Sequence, residues 1–351
     1  MDKTKRTVFV GLSGGVDSSV AALRLIREGY DVVGVFIKVW HPDFLVCNWE
    51  QERLDAMRVA AHLSIPFLTC DAEETYRTEV GEFFISEYRA GRTPNPDVLC
   101  NKAVKFGAFL RFAQMHGADF VATGHYARRE DKDGMPTLMR GIDANKDQSY
   151  FLWMLEKGQL AHVLFPIGDS TKSEIRREAA RAGLPTAVKK DSQGICFLGH
   201  IDIPEFMSHF TELKEGAVLD ETGTVIGTHH GSLVYTLGQR HGFTTTAAVP
   251  HYVIKKDLAK NTITVAPQPP SVAKDDTLTL VQTNWIQNMP TLGEQFTAQF
   301  RYRQTPVPIL ISDINDREVV ITVLSETDRP ASGQSCVIYN RDECLGGGVV
   351  V

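Results

Sequence analysis

A glycine-rich loop near the start of the chain constrains its fold more than any other sequence feature. Residues 11–19 read Gly-Leu-Ser-Gly-Gly-Val-Asp-Ser-Ser and lie between the apolar runs Thr7–Val10 and Val20–Leu23. This pattern predicts a buried strand that turns sharply into a helix. Glycines let the backbone approach an anion, serine hydroxyls add donors, and a helix N-terminus offers N–H groups without intrahelical partners. We therefore predict a phosphate-binding loop.

The loop differs from a Walker-type P-loop, Gly-x4-Gly-Lys-Ser/Thr, because it contains no lysine. Asp17 occupies its first helical turn, where a metal ion or the helix dipole favours a carboxylate. Pyrophosphate with Mg2+ therefore fits the loop better than a transferred terminal phosphoryl group. The string Ser-Gly-Gly-x-Asp-Ser resembles the PP-loop of the ATP pyrophosphatases, and this resemblance implies ATP as cofactor and adenylation of a substrate carbonyl. The alternative is a strand-to-helix turn without a ligand.

The overall composition is that of an ordinary globular protein. The chain has 351 residues, of which 43% are hydrophobic and 23% charged, enough for two or three domains with full cores. Its formal net charge of −6 argues against unspecific nucleic-acid binding by the whole surface but leaves room for local basic faces. The sequence shows neither a targeting peptide nor an apolar run of membrane-spanning length, so we expect a cytoplasmic protein.

Strand and helix patterns alternate from residue 7 to about residue 125. Strands are predicted at Thr7–Val10, Asp31–Ile37, Ile65–Thr69 and Phe120–Thr123, and helices at Val16–Arg27, Gln51–Leu63 and Asn101–His116. This α/β alternation predicts a parallel sheet covered by helices on both faces, with the active site along the carboxyl ends of its strands.

A further helix is predicted from the capping box Thr171–Glu174 to Gly183. It carries four basic residues, which form either a functional surface or an ordinary solvated face: Lys172, Arg176, Arg177 and Arg181.

The sequence pattern changes after residue 200. From Gly216 to Val265, short β-like runs alternate with turns rich in glycine and histidine, and the chain after Pro267 has the pattern of an antiparallel β domain. Its clearest strands are predicted at Phe296–Arg303, Glu318–Leu324 and Gln334–Tyr339. We predict an N-terminal parallel-sheet PP-loop catalytic domain over residues 1–200, a small central domain over 201–267 and a C-terminal antiparallel β-barrel over 268–351.

The six cysteines fall into two groups. Four have neighbours that indicate no chemistry and are predicted to be buried apolar filler: Cys47, Cys70, Cys336 and Cys344. Cys100 ends the segment that begins Thr93-Pro-Asn-Pro-Asp and is expected at the N-terminus of the helix predicted from Asn101, where the dipole lowers the pKa of a thiol. Asp97 then either exchanges a proton with this thiol or caps the helix. A buried structural cysteine is the alternative for Cys100.

The sixth cysteine, Cys196, lies in the glycine-bracketed segment Asp191–Gly199, after the basic pair Lys189-Lys190. We expect this segment to be exposed and able to move. If the fold brings Cys196 to Cys100, one thiol can carry a sulfane sulfur and the other can resolve it as a disulfide. Replacing an activated carbonyl oxygen by sulfur needs such a carrier, whereas a ligase needs one nucleophile at most.

Seven short strings, in order along essentially the whole chain, are similar to those of the bacterial tRNA-specific 2-thiouridylases. They are the PP-loop at residues 11–18, Asn95-Pro96-Asp97 with Cys100, Thr123–Ala127, Lys146–Phe151, Gly194–Phe197, Arg301–Arg303 and Ala331–Gln334. Each string is weak by itself, but their joint occurrence in this order is specific.

The resemblance implies roles for particular residues. ATP is expected at Gly11, Leu12, Ser13, Gly14, Gly15, Val16, Asp17, Ser18, Ile37 and Gly124, with Asp17 also holding Mg2+. Family members often have methionine at position 37, so only a backbone role is carried over to Ile37. Contacts with tRNA are expected from Asn95, Pro96, Asp97, His125, Lys146, Asp147, Gln148, Arg301, Tyr302 and Gln334. Cys100 is the implied nucleophile and Cys196 the implied persulfide carrier.

The resemblance also implies a reaction and its partners. The C2 oxygen of the wobble uridine, in tRNAs for Lys, Glu and Gln, is adenylated with release of pyrophosphate. A persulfide on Cys196 delivers sulfur, AMP leaves, and a Cys100–Cys196 disulfide remains for a reductant. The sulfur comes from a cysteine desulfurase or a relay protein, the central domain contacts tRNA, and we expect a monomer.

General physical arguments support part of this interpretation. A base that reacts at its C2 carbonyl must leave the stack, and amide, carboxylate and aromatic groups hold flipped nucleotides. Arg301 and Arg303 alternate with Tyr302 on a predicted strand, so both arginines are expected on one face. That face either meets RNA phosphates or is an ordinary exposed face.

Three alternatives stay open. A PP-loop amide ligase or amidotransferase would use the same loop, but the sequence contains no segment for a glutaminase. An RNA-binding protein could carry the loop as a vestige. A thiolase of the same substrate could use an iron–sulfur cluster held by Cys100, Cys196 and a third ligand.

Overall fold

The computed structural model of the chain describes residues 5–45, 49–190, 201–246, 249–315 and 317–351. Its first seven strands are β1 (Thr7–Gly11), β2 (Asp31–Lys38), β3 (Phe67–Asp71), β4 (Phe120–Ala122), β5 (Ala127–Lys132), β6 (Met135–Arg140) and β7 (Val163–Leu164). Within these ranges, five of them form a parallel sheet in the order β3-β2-β1-β4-β7. The predicted α/β class is confirmed.

Helices of the same ranges connect and cover these strands. They are α1 (Val16–Arg27), α2 (Trp49–His62), α3 (Glu73–Tyr76), α4 (Glu82–Arg89), α5 (Pro96–Leu99), α6 (Phe109–Met115), α7 (Lys157–Leu160), α8 (Lys172–Arg181) and α9 (Ile203–Ser208). Two π-helical segments make longer helices of them, because Arg77–Gly81 joins α3 to α4 and Cys100–Ala108 joins α5 to α6. Short 3-10 turns lie at Ser149–Phe151 and Ser232–Val234.

The apolar strand β1 is buried on both faces, as its sequence predicts. Phe9 packs in the cluster that contains Val104 and Phe109, from the helix that runs through the second π segment. Val8 and Val10 point to the opposite face and pack with residues of α1 and α2. Alternate residues of a strand point to opposite faces, so a strand apolar at every position requires helices on both sides of the sheet.

Two β units follow. The strands β8 (Gly216–Leu219), β9 (Val225–His229), β10 (Tyr252–Asp257) and β11 (Thr262–Ala266) pair in the order β10-β11-β8-β9. The remaining strands are β12 (Ser271–Val272), β13 (Thr277–Trp285), β14 (Gln295–Gln299), β15 (Val307–Ile314), β16 (Glu318–Val323), β17 (Thr327–Asp328), β18 (Ser335–Asn340) and β19 (Glu343–Val350). Pairing of β13 with β19 closes the order β13-β16-β15-β14-β18-β19 into the predicted antiparallel barrel.

The strand predicted at Phe296–Arg303 is wrong beyond Gln299. The chain turns at residues 300–303, and Arg303 has a left-handed backbone with φ of 64°. The side-chain oxygen of Gln304 closes the turn by accepting the N–H groups of Phe300 and Arg301 at 2.8 and 3.1 Å. Arg301 and Arg303 therefore do not share one face of a strand.

A buried polar network joins the N-terminal part of the chain to the barrel. One Asp147 oxygen accepts the N–H groups of Gly141 and Ser149, at 3.0 and 3.1 Å, and the other accepts from Arg140 Nη1 at 2.9 Å. The Arg140 guanidinium also lies 3.5 Å from the centre of the Tyr339 ring in β18. Asp147 is only 8% exposed and has a structural role in this network, and its predicted contact with tRNA stays a prediction.

Asp147→Ala is expected to lower the free energy of unfolding by about 3–5 kcal/mol, because it leaves a buried guanidinium without its carboxylate. Urea denaturation measures this change. The control is Asp131→Ala, since Asp131 pairs with Arg129 but its side chain is 61% exposed. That variant should lose less than about 1 kcal/mol, and equal losses in both would contradict the role given to Asp147.

Candidate functional site

The glycine-rich loop is folded tightly between β1 and α1. The N–H of Ser13 donates to Ser18 Oγ at 3.3 Å, and the hydroxyls of Ser18 and Ser19 donate to the Gly15 carbonyl at 3.2 and 2.7 Å. Gly14 has a φ of 68°, and a Cβ there would lie 2.8 Å from the carbonyl oxygen of Glu52 in α2. The loop is therefore held in one shape at the carboxyl end of β1, as predicted for a phosphate site.

The chain after β4 presses against this loop. A Cβ on Gly124 would lie 2.6 Å from the backbone nitrogen of Ser18 and 2.8 Å from the carbonyl carbon of Asp17. A Cβ on Gly11 would be in ordinary contact with Ile37, at 3.6 Å from its Cδ1. The structure thus brings together the loop, Gly124 and Ile37, which the sequence assigned to one nucleotide site.

Asp17 is held by two side chains that follow later in the chain. Both its carboxylate oxygens accept from Lys172 Nζ at 2.8 Å, and Oδ1 also accepts from the Tyr126 hydroxyl at 2.8 Å. Lys172 is the first residue of α8, and the predicted capping box between Thr171 and Glu174 is confirmed. Sequence reasoning placed Lys172 on a basic helix face and missed its position at the loop, because no spacing connects the two segments.

The helix that carries Cys100 begins earlier than predicted. Asn95 is its N-cap, with Oδ1 accepting from the Val98 N–H at 3.4 Å, and Pro96 is its first residue. Proline suits this position because it has a helical φ and no N–H to satisfy. The Cys100 N–H already donates to carbonyl oxygens of Pro96 and Asp97. Cys100 therefore lies one turn inside the helix and is fully buried, and its expected position at the helix N-terminus is wrong.

The cap also decides the two roles considered for Asp97. Because Asn95 caps the helix, Asp97 lies in the first helical turn and does not cap it. Its role as a proton acceptor or donor beside Cys100 stays a prediction.

Three parts of the chain meet at the loop before this helix. The Thr93 N–H donates to the Ser332 carbonyl in the barrel at 2.8 Å, and the Thr93 hydroxyl lies 3.0 Å from the Thr236 hydroxyl in the central part. Gly333, with φ of 93°, approaches so closely that a Cβ would lie 2.9 Å from the Thr93 nitrogen. The loop that leads to Asn95 and Asp97 is thereby fixed by both β units.

Several residues predicted to contact tRNA gather beside this junction. The buried Tyr150 hydroxyl donates to the carbonyls of Phe300 and Ser335 at 3.1 and 3.0 Å. Burial raises the pKa of Tyr150, while a hydrogen bond with the Asn95 side chain opposes the shift. The predicted contacts next to these groups are Asn95, Arg301, Tyr302 and Gln334; they stay predictions, but the fold places them together.

Two aromatic rings and two arginine side chains extend the same surface. The Tyr302 ring packs on Phe151 with centroids 4.7 Å apart, and the Arg303 guanidinium lies 5.0 Å from the centre of the Tyr302 ring. Arg301 is 37% exposed and its Nη1 lies 3.5 Å from a carboxylate oxygen of Asp328. An exposed guanidinium beside an aromatic ring suits stacking and phosphate contacts with RNA.

His125 is buried and Gln148 is half-buried in the folded chain. His125 is 6% exposed, with Nδ1 2.7 Å from Thr123 Oγ1 and Nε2 3.5 Å from Lys105 Nζ. Burial, followed by the Lys105 charge, lowers the pKa of His125 well below its usual value, so the imidazole is neutral at neutral pH. Gln148 Oε1 accepts from the Tyr126 N–H at 3.0 Å. Both side chains thus have internal contacts in the folded chain, and their contacts with tRNA stay predictions.

The buried cysteines agree with the predicted filler role where they are described. Burial raises the pKa of Cys70 to about 11 and that of Cys344 to about 12, and it also raises the pKa of Cys336. These thiols therefore stay protonated at neutral pH. Cys47 and Cys196 lie outside the described residues, so the expected pairing of Cys196 with Cys100 stays a prediction. In the described ranges no helix has the length and apolar character needed to cross a membrane.

Three family models match the chain, one for the part with the parallel sheet and the glycine-rich loop and one for each of the two β units. The matches are a tRNA methyl transferase HUP domain over residues 6–200, a tRNA methyl transferase PRC-barrel domain over 204–267 and an aminomethyltransferase beta-barrel domain over 275–350.

Full-length relatives make the class specific. The tRNA-specific 2-thiouridylase MnmA of Geobacillus thermodenitrificans is 44% identical over 348 residues, which cover 98% of this chain and 94% of that protein. The protein of the same name from Enterococcus faecalis is 44% identical over 359 residues, with 99% and 96% covered. The chain therefore belongs to the tRNA-specific 2-thiouridylase family, as the resemblance predicted.

Gly333→Ala is expected to loosen the Thr93 loop. Gly293 is the matched control, because it has a φ of 83° in the same barrel and a Cβ there would meet nothing within 4 Å. Both variants incur a left-handed backbone strain of about 1–2 kcal/mol. Only Gly333→Ala should also speed hydrogen exchange of the Thr93 amide. Equal exchange in the two variants would contradict the clamp described here.

Proposed function

We propose that this chain is an ATP-dependent tRNA sulfurtransferase that 2-thiolates the wobble uridine of tRNAs for Lys, Glu and Gln. The observation that carries the proposal is that the glycine-rich loop and the helix with Cys100 lie at the same edge of the parallel sheet. The glycine-rich loop follows β1, and the helical segment Cys100–Ala108 contacts α3, which begins just after β3. This arrangement supports one reaction space shared by the proposed phosphate site and the helix that carries Cys100.

The loop fits the phosphates of ATP. The first N–H groups of α1 have no intrahelical partners, and the loop backbone approaches Gly124 with no room for a side chain. Asp17 is the residue that would hold Mg2+, since this ion is commonly bound by one or two carboxylates together with waters and substrate phosphates. When bound, Mg2+ would neutralise phosphate charge. Within the described residues there is no group of three or more His, Cys, Asp or Glu that could hold a metal ion, and both Asp17 oxygens accept from Lys172, so Mg2+ would have to displace the ammonium group from this carboxylate.

The proposed chemistry has two stages. The uridine O2 attacks the α-phosphorus of ATP, a new O–P bond forms, and pyrophosphate leaves with the electron pair of the broken bond. The terminal sulfur of a Cys196 persulfide then attacks C2, and AMP leaves with the former carbonyl oxygen. The Cys100 thiolate next attacks the Cys196 sulfur, so that a disulfide forms and the electron pair of the released bond makes the C2 thiocarbonyl. A thiol reductant restores both cysteines.

The contacts between the three parts of the chain support a division of function among them. We propose that residues 1–200 perform the chemistry and that residues 201–267 and 268–351 position the anticodon. The contacts of Thr93 with Ser332 and Thr236 support this division, because both β units touch the loop next to the proposed base pocket. The sulfur enters from a cysteine desulfurase or a relay protein, and the enzyme acts as a monomer.

The test is mass spectrometry of nucleosides from unmodified tRNA for Glu. The tRNA is incubated with the purified chain, Mg-ATP, a cysteine desulfurase, cysteine and reductant under anaerobic conditions. A wobble uridine with sulfur in place of one oxygen, formed only with ATP, supports the proposal. If product forms only after iron–sulfur reconstitution, the persulfide route is replaced by the cluster route. No product under either condition overturns the proposal in favour of a PP-loop ligase.

Gly124→Ala is expected to weaken ATP binding at least about tenfold, or about 1.4 kcal/mol, because the new Cβ displaces the first turn of α1. Equilibrium titration of the purified variants with Mg-ATP measures the affinity. Gly158→Ala is the control, since Gly158 is helical and a Cβ there meets nothing within 4 Å. Unchanged affinity in a folded Gly124→Ala variant would contradict the placement of ATP at this loop.

Cys100→Ser and Cys196→Ser are each expected to abolish thiolation while ATP–pyrophosphate exchange, measured with tRNA present, continues near the wild-type rate. The reason is that adenylation needs no thiol, whereas sulfur transfer needs both. Cys70→Ser is the matched control for a buried cysteine at the same sheet edge and should keep both activities. Full thiolation by either of the first two variants would refute the two-cysteine scheme.

A further inference from the structure

The part of the chain that precedes Cys196 in sequence contacts the glycine-rich loop and the helix α2 beside it. The buried Thr186 hydroxyl donates to the Ser19 hydroxyl at 2.9 Å. Three residues later, Lys189 Nζ donates to Asp55 Oδ2 of α2 at 2.7 Å. Cys196 follows seven positions after Lys189 in the sequence and lies outside the described residues. The chain that leads to the proposed sulfur carrier is therefore attached at Ser19 and at Asp55.

Asp55 itself packs against the glycine-rich loop. A Cβ on Gly14 would lie 2.9 Å from the Asp55 Cβ, so the loop backbone and this side chain are in close contact. The Asp55 side chain is 19% exposed. Burial opposes its ionisation, but the hydrogen bond and the charge of Lys189 help to outweigh burial and keep the pKa of Asp55 below its ordinary value. The contact with Lys189 is therefore an ion pair at neutral pH.

The Lys189 charge acts on a second carboxyl group of α2. Burial raises the pKa of Glu52, and the positive charge of Lys189 opposes this shift. Arg58 also pairs with Asp55, at 3.0 Å, but it belongs to the same helix and its side chain is 56% exposed. The Arg58 pair therefore joins neighbouring turns of α2, whereas the Lys189 pair joins α2 to a distant part of the chain.

A purely structural role would be to hold residues 186–190 on the fold, but other contacts already do this. Besides the bond from Thr186 to Ser19, Arg176 Nη1 of α8 donates to the Lys189 carbonyl at 3.0 Å. The neighbouring Val188 is 93% exposed, so apolar packing does not hold the chain here. Lys189 is also the last described residue but one before residues 191–200. Its side-chain ion pair thus comes where the chain leaves the glycine-rich loop toward Cys196.

We infer that Lys189, through its ion pair with Asp55, is a positioning residue for sulfur transfer, an inference that rests on the proposed function. It acts through the chain that follows it and not on the reacting atoms. The pair holds the start of that chain against the helix that packs on the glycine-rich loop. A chain held at its start samples fewer positions, so the sulfur on Cys196 meets the activated uridine more often. Adenylation takes place before this step and does not need the pair.

The test measures two rates on the full chain with unmodified tRNA for Glu. One is ATP–pyrophosphate exchange, and the other is single-turnover thiolation by protein first loaded with sulfur by a cysteine desulfurase and cysteine. Lys189→Met is expected to slow thiolation about fivefold, the upper range for a partly exposed ion pair, and to leave exchange at the wild-type rate. Lys189→Arg keeps the charge and should recover most of the thiolation rate.

Arg58→Met is the matched control, because it removes the other cation of Asp55 and keeps the Lys189 pair. Both rates should stay at their wild-type values in this variant. Asp55→Asn should slow thiolation as Lys189→Met does, and combining the two should slow it no further, since both remove the same interaction.

Three results would overturn the inference while leaving the proposed function intact. They are unchanged thiolation in Lys189→Met, equal slowing of exchange and thiolation in that variant, and additive effects in the double variant. Equal slowing would show that Lys189 only stabilises the fold. A wild-type chain that catalyses neither exchange nor thiolation overturns the proposed function itself.

Discussion

The contact between Gly124 and the first turn of α1 is the constraint on which the site depends. Because a Cβ at Gly124 would overlap Ser18 and Asp17, the end of β4 and the start of α1 have one possible spacing. Tyr126 follows Gly124 by two residues, and its hydroxyl lies 2.8 Å from Asp17 Oδ1. Close backbone packing of this kind fixes the separation of two segments more firmly than a surface ion pair does, since exposed ion pairs contribute little free energy.

The segment that follows this contact connects the glycine-rich loop to the barrel. Gln148 holds the backbone of Tyr126 through its side chain and its own N–H, and the adjacent Asp147 is bonded to Arg140. The Ser149 hydroxyl continues the network to the Tyr339 hydroxyl at 3.1 Å. A series of partly and fully buried hydrogen bonds therefore runs from the loop into β18. Residues that a sequence comparison groups as tRNA contacts include some whose observed contacts are internal to this network.

Sequence patterns predicted the elements that depend on local chemistry. The helix Val16–Arg27 was predicted with the bounds that the structure shows, because its glycine-rich start and apolar spacing are both local. The start of the Cys100 helix was misplaced, since two prolines indicate a loop and the cap at Asn95 becomes visible only in three dimensions. The turn at residues 300–303 depends on a side chain beyond it, Gln304, which a strand pattern does not reveal. The position of Lys172 follows from the packing of α8 on α1, so no local signal encodes it.

The surroundings of the buried His125 side chain keep its imidazole neutral. Lys105 and His125 lie 3.5 Å apart between their nitrogens, and burial together with the Lys105 charge lowers the pKa of His125. A histidine with a lowered pKa gains a proton only at more acidic pH, so across the neutral range the imidazole carries no charge. His125 therefore adds no pH-dependent charge beside the glycine-rich loop in the neutral range.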